Sequence, residues 1–189
     1  QVKRAAIISF LVSASAGLAM VLLSQVWLLM PIGLAAIAAA WFYTGGTKPY
    51  GYAGYGELFV FVFFGLVAVA GTSASQTGQV TPLALLGGVS CGALATAILV
   101  ANNLRDIPSD KISGKLTLAV RLGDAKTRDL YRICIVVGFA MPLAMNFLAN
   151  GPVSAYIGLF AILSARRPLQ IIRSGATGMA LIPVLGDTA

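Results

Sequence analysis

Histidine is absent from all 189 residues. That omission removes Ser-His-Asp hydrolysis, Cys-His nucleophilic catalysis, HExxH metalloproteases and most zinc sites, because each needs an imidazole as base or ligand. Charge is also scarce: 10% of residues are charged and 58% are hydrophobic, against about 25% and roughly 45–50% in soluble domains. Such a composition belongs to a membrane protein. The two cysteines, Cys91 and Cys134, stand far apart inside apolar runs and are expected to behave as small hydrophobes without a disulfide or redox role. Phosphate-cradling glycine patterns are missing as well. Neither GxxxxGK[ST] nor a G-x-G-x-x-G after a strand occurs, which argues against nucleotide binding. Carboxylates, Lys/Arg, Tyr and a hard metal ion are the chemistry left.

A spanning helix needs about 20 apolar residues, with roughly 17 as the lower limit. Six stretches are candidates: 5–23, 26–43, 58–74, 82–101, 133–149 and 152–165, the last reaching Arg166 early enough that its arginines would have to snorkel. The expected fold class is an all-α, polytopic transmembrane helix bundle, with residues 1–189 as one domain; no internal repeat or low-complexity linker divides it. The connections at 24–25, 75–81 and 150–151 carry no charge, so all 13 basic residues share the other face, which the positive-inside rule makes cytoplasmic. The net charge of +7 is thus a topology signal, with no nucleic-acid partner expected. All six acids, Glu57, Asp106, Asp110, Asp124, Asp129 and Asp187, are expected on that face too. No span then keeps an ionisable residue near the midplane, which speaks against an ion-coupled transporter. Within the bundle "GGVSCGALATA" (Gly87 to Ala97) spaces Gly88 and Gly92 as a helix-packing motif. Helix contact is the preferred reading there, with a groove for an apolar chain as the alternative.

Two cytoplasmic segments hold the chemistry. The first, "TGGTKPYGYAGYGE", surrounds Lys48 with Tyr43, Tyr50, Tyr52 and Tyr55 among five glycines and Pro49, and ends at Glu57. Such a loop can fold over a phosphate beside an aromatic acceptor, or be a flexible loop with an interfacial tyrosine belt. The second follows the fourth apolar run. Asn102, Asp106 and Asp110 recur at i, i+4 and i+8, one face of a helix if it runs unbroken. Pro108 is expected to kink or end that helix near 106–107 and to deliver Asp110 from a turn. Either way two carboxylates and an amide oxygen come within reach of one point, a donor set suited to Mg²⁺ held with substrate phosphates. Arg105, Lys111, Lys115 and Arg121 around them suit phosphate oxygens. A solvated topology loop explains the positive charge here, but not why three of the six acids and two asparagines gather at a membrane mouth.

"NNLRDIPSDKISGKLTLAVRLGDAKTR" (Asn102 to Arg128) resembles the second aspartate-rich motif of the UbiA superfamily of intramembrane prenyltransferases, in the NN-x-RD-x-x-x-D…GK-x-TLAVRLG form of its 1,4-dihydroxy-2-naphthoate polyprenyltransferase branch. "YTGGTKPYGYAGYGELFVFVFFGLVAVAGT" (Tyr43 to Thr72) and "GMALIPVLGDT" (Gly178 to Thr188) resemble other stretches of the same branch, so the likeness runs over nearly the whole chain.

The resemblance implies a nine-span bundle in the bacterial plasma membrane, with a cavity open to lipid and an active face in the cytoplasm. A polyprenyl diphosphate would be held through Mg²⁺ between two aspartate motifs, and the polyprenyl group transferred to 1,4-dihydroxy-2-naphthoate with loss of CO₂, a step of menaquinone biosynthesis. It implies Asp106 and Asp110 as metal carboxylates, with Lys48 beside them in catalysis. Asn102, Asn103, Arg105, Lys111, Lys115, Arg121, Tyr50 and Tyr52 are implied as substrate contacts. The family's first motif, of N-D-x-x-x-D type, is not in this sequence. The six stretches would be helices three to eight of nine, and the chain alone is expected to be inactive. A 4-hydroxybenzoate or homogentisate prenyltransferase is the near alternative, against which the GK-x-TLAVRLG form argues. A membrane permease, a non-catalytic subunit or a lipid-binding scaffold with a basic face is the alternative from another class.

Overall fold

The structure, a computed structural model, describes residues 2–46, 49–149 and 153–189. Its helices are α1 (Val2–Ser24), α2 (Leu29–Thr44), α3 (Gly56–Val60), α4 (Ala68–Thr77), α5 (Pro82–Ile112), α6 (Leu118–Ala149), α7 (Arg166–Arg173) and α8 (Ile182–Thr188). A π-helical segment, Phe61–Val67, joins α3 to α4 without a break. Tight 3₁₀ turns form Tyr50–Ala53, Val153–Leu163 and Gly178–Leu181. No strand occurs among the described residues.

Among the described residues four helical stretches are long and apolar enough to cross a membrane: Val2–Ser24, Gly56–Thr77, Pro82–Ile112 and Leu118–Leu148, the last kinked at Gly123, whose φ of 77° and ψ of 173° are not helical. The expected six are therefore not all met by length. The 26–43 stretch becomes α2, only 16 residues long. The 152–165 stretch starts at a residue outside the described ones, as does the 150–151 connection. From Val153 to Leu163 it winds as a 3₁₀ helix of 11 residues, which at about 2.0 Å per residue extends over about 22 Å. Arg167, expected to snorkel, pairs with Asp187 at 3.4 Å.

The core lies where α5 and α6 run antiparallel and α7 and α8 close over them. Val100, Leu104, Tyr131, Ile135, Ile172 and Leu181 are sealed there. Ser90 Oγ donates to the Gly138 carbonyl at 2.8 Å, tying the two long helices together in their apolar halves. Both cysteines are unpaired, as expected. Asp187, at the last turn of α8, is the acid that Arg167 meets. It lines a small cavity with Leu94, Phe139 and Ser164.

Gly88 and Gly92 do serve as a contact surface. The rod Gly56–Thr77 crosses them at Gly65, whose hypothetical Cβ would strike Gly92 Cα and lie 2.5 Å from the Gly88 carbonyl oxygen. Backbone meets backbone there, so only glycine fits. The π segment carries Gly65, and a π turn is a one-turn adjustment of helical phase that sequence periodicity does not reveal.

A second tie is polar. Arg128 on α6 donates through Nη1 to Ile172 O at 2.9 Å and through Nη2 to Ala176 O at 2.7 Å. The same guanidinium makes two bonds to the Asp124 carboxylate, at 2.6 and 2.9 Å. Its side chain is 8% exposed, so these bonds satisfy it in place of water and pin the end of α7.

Two outcomes are expected in thermal unfolding of detergent-solubilised protein. Gly65→Ala destabilises by about 1–3 kcal/mol through overpacking, whereas Gly17→Ala, with nothing within 4 Å of its Cβ position, is neutral or stabilising. Arg128→Lys keeps the charge but loses the fork, and with it one of the two carbonyl contacts, lowering stability by about 1–3 kcal/mol.

Candidate functional site

Length explains why the site lies at a mouth. At about 1.5 Å per residue the 31 residues of α5 reach about 46 Å, beyond the roughly 30 Å hydrocarbon layer. Thr81 caps the apolar end by accepting from Ala84 N at 3.1 Å, with Pro82 opening the helix. The opposite end overhangs, and it carries Asn102 to Ile112. Pro108 does not end the helix near 106–107, which corrects the sequence expectation. It lies in the final turns, where a proline costs one backbone bond, and the helix closes beyond it through Ser113 N to Ser109 O and Lys115 N to Asp110 O. Ile107 and Asp110 are buried on either side of it, so tertiary packing holds the segment helical. Asp110 therefore comes from the helix itself. Asn102, Asn103, Asp106 and Asp110 fall within an arc of about 100° on one face.

The carboxylates are already met by cations of this chain. Arg105 Nε and Nη2 each donate to Asp106 at 2.7 Å, a two-pronged pair. Lys115 Nζ stands 3.8 Å from Asp110 Oδ1, and Thr117 Oγ1 donates to Oδ2 at 3.4 Å. Lys111 is exposed beside them. Among the described residues no three His, Cys, Asp or Glu side chains gather as a metal cluster. Two hard oxygen carboxylates on one arc are nevertheless the donor number with which Mg²⁺ binds when phosphates and water complete its shell. The residues present fit the ion as part of a site.

The tyrosine-rich segment and the segment after α5 meet above this point. Leu116 N donates to Tyr52 O at 2.9 Å, and Lys115 Nζ sits 4.8 Å over the Tyr52 ring. Arg121 Nε donates to Leu116 O at 3.2 Å and lies against Gly54, whose φ of 83° needs glycine. Tyr52, Lys115 and Arg121 are thus brought together, and Lys48 lies outside the described residues. Tyr50 turns the other way, donating to Ala39 O on α2 at 2.7 Å. Burial, with Tyr43 nearby, pushes its phenol up, so it remains a neutral donor. Its ring stacks on Phe59 at 4.0 Å and meets Tyr43 edge-on at 5.5 Å. Below these rings an apolar groove of about 600 Å³ runs between α2 and the π segment, lined by Ala36, Ala40, Phe63, Phe64 and Val67.

Glu57 is the residue the sequence left unassigned. It starts the rod as a loop-end acid, yet it is 6% exposed and its Oε1 accepts from Asn103 Nδ2 at 2.9 Å. Thr96 Oγ1 donates to its carbonyl at 3.5 Å. The only visible signal was an acid directly adjoining an apolar run, which without a partner in view reads as a boundary.

The model of the UbiA prenyltransferase family matches residues 2–186. The chain is 50% identical over 184 residues to a 1,4-dihydroxy-2-naphthoate octaprenyltransferase of Mycobacterium leprae, covering 97% of the chain and 61% of the relative. The enzyme so named in Mycobacterium tuberculosis is also 50% identical, with 97% and 62% covered. That of Escherichia coli is 43% identical, with 100% of the chain and 63% of the relative covered. The chain thus spans about three-fifths of the length of these relatives. No solved structure matches it. With nearly every residue inside the family model, the chain belongs to the UbiA prenyltransferase family.

Proposed function

We propose that this chain is the central part of a 1,4-dihydroxy-2-naphthoate polyprenyltransferase, a magnesium-dependent enzyme of the bacterial plasma membrane with its active face in the cytoplasm. The observation that carries the reading is the pair Asp106 and Asp110 on one arc of the overhanging end of α5, each already paired with a cation of the chain. The relatives at 50% identity support the choice of acceptor. Residues 1–189 act as one domain, six of the family's nine spans.

In this reading the prenyl tail lies in the apolar groove and its diphosphate at the mouth. Asp106 and Asp110 would hold the cation, and Arg105 and Lys115 beside them would face the diphosphate oxygens, with Lys48, Lys111 and Arg121 completing the basic surround. Asn102, Asn103, Tyr50 and Tyr52 border the substrate. Bound Mg²⁺ supplies further positive charge against the leaving diphosphate. As the allylic C–O bond breaks, its electron pair leaves on the diphosphate, where the fixed cations stabilise it. The apolar walls keep water from the allylic cation. The electron-rich naphthoate ring attacks that carbon, and the carboxylate departs as CO₂, returning its electron pair to the ring.

The complete protein in membranes, given dihydroxynaphthoate and a labelled polyprenyl diphosphate, is expected to form a prenylated, decarboxylated quinol only with Mg²⁺. Asp106→Asn should lower the rate by about 100-fold or more. A folded protein that prenylates no aromatic acceptor, or that works equally well with chelator, would refute the assignment.

A further inference from the structure

Glu57 is deeply buried for a carboxylate, and its environment is one-sided. Oε1 accepts from Asn103 Nδ2 at 2.9 Å, while Oε2 is buried with no hydrogen-bond partner among the described residues. Sealing an acid so incompletely is costly unless something is gained, and core packing alone would be better served by leucine. What the acid does is fix an amide. The Asn103 amide turns its NH₂ to this acid and donates to it through Nδ2. In a planar amide Oδ1 then points away from Glu57, and it makes no hydrogen bond among the described residues. Asn103 lies three residues before Asp106, a neighbour across one turn of the same face.

We infer that Glu57 is a positioning residue of the cation–diphosphate site: by holding the Asn103 NH₂, it presents Asn103 Oδ1 as a third oxygen beside Asp106 and Asp110. The inference rests on the functional reading above and adds to it a residue from a different rod. Asn103 thereby acts as an oxygen acceptor toward the cation or its bound water, not as a donor to the diphosphate. Glu57 also makes the geometry of the α5 mouth depend on the rod Gly56–Thr77, since Gly56 packs on Leu99 and Glu57 on Thr96 of the same helix.

The test uses the complete protein in detergent and electron paramagnetic resonance to titrate Mn²⁺ binding in the presence of a polyprenyl thiodiphosphate that does not turn over. Glu57→Leu is expected to weaken Mn²⁺ about 10–100-fold. Glu57→Gln, which keeps an oxygen able to accept from Asn103, restores most of the affinity. Asn103→Ala should weaken binding as much as Glu57→Leu, and the double variant should add nothing further. Where Glu57→Leu does not fold, Glu57→Asp withdraws the carboxylate by one methylene and is expected to give the same loss. Wild-type binding with folded Glu57→Leu or Glu57→Asp unaffected, or effects of Glu57 and Asn103 that add, overturns the inference alone. A wild-type protein that binds no Mn²⁺ with the diphosphate overturns the functional reading and the inference with it.

Discussion

Two helices that touch without side chains between them set the geometry on which the mouth depends. Gly65 meets Gly88 and Gly92 backbone to backbone, and from that crossing the rod Gly56–Thr77 and α5 run antiparallel toward the charged end. Each later contact follows in order: Phe61 on Gly92, Glu57 on Thr96, Gly56 on Leu99, and Glu57 on Asn103. In lipid there is no hydrophobic drive to bring helices together, so close packing of small residues and a few polar ties must do it. The same approach that removes side chains at Gly65 leaves room at the mouth for a buried acid. A bulkier crossing would part the rods and withdraw Glu57 from Asn103.

Length is the second constraint. At about 46 Å, α5 outruns a hydrocarbon layer of roughly 30 Å, so its charged end, Asn102 to Ile112, can stand in water rather than in oil. Loop contacts then roof it: Tyr52 and Leu116 share a backbone bond, and Lys115 spans from the Tyr52 ring to Asp110. Arg128 does similar work lower down, holding the carbonyls at the end of α7 to α6. Polar groups are few in this chain, and those inside the bundle are mostly spent on joining elements.

Much of this was legible in the sequence because it depends on local spacing. The aspartates at i and i+4, the Gly88/Gly92 pair and the charged end of a long apolar run all report on one helix, α5. Pro108 misled, since a proline near the end of a helix costs one bond and packing around Ile107 and Asp110 outweighs it. The π segment was invisible because a phase shift of one residue leaves an all-apolar run unchanged. Glu57 and Asn103 are 46 positions apart, and Arg167 and Asp187 20 apart; long-range pairings of this kind leave no mark in composition. The proposed acceptor rests on the family resemblance, since spacing carries no sign of it.

The most direct test of the account is the position of the cation. Crystals of the complete protein soaked with Mn²⁺ and a polyprenyl thiodiphosphate, measured for anomalous scattering, should show the metal between the carboxylates of Asp106 and Asp110 with the diphosphate against it. Metal density away from α5, with both aspartates still paired to Arg105 and Lys115, would contradict it.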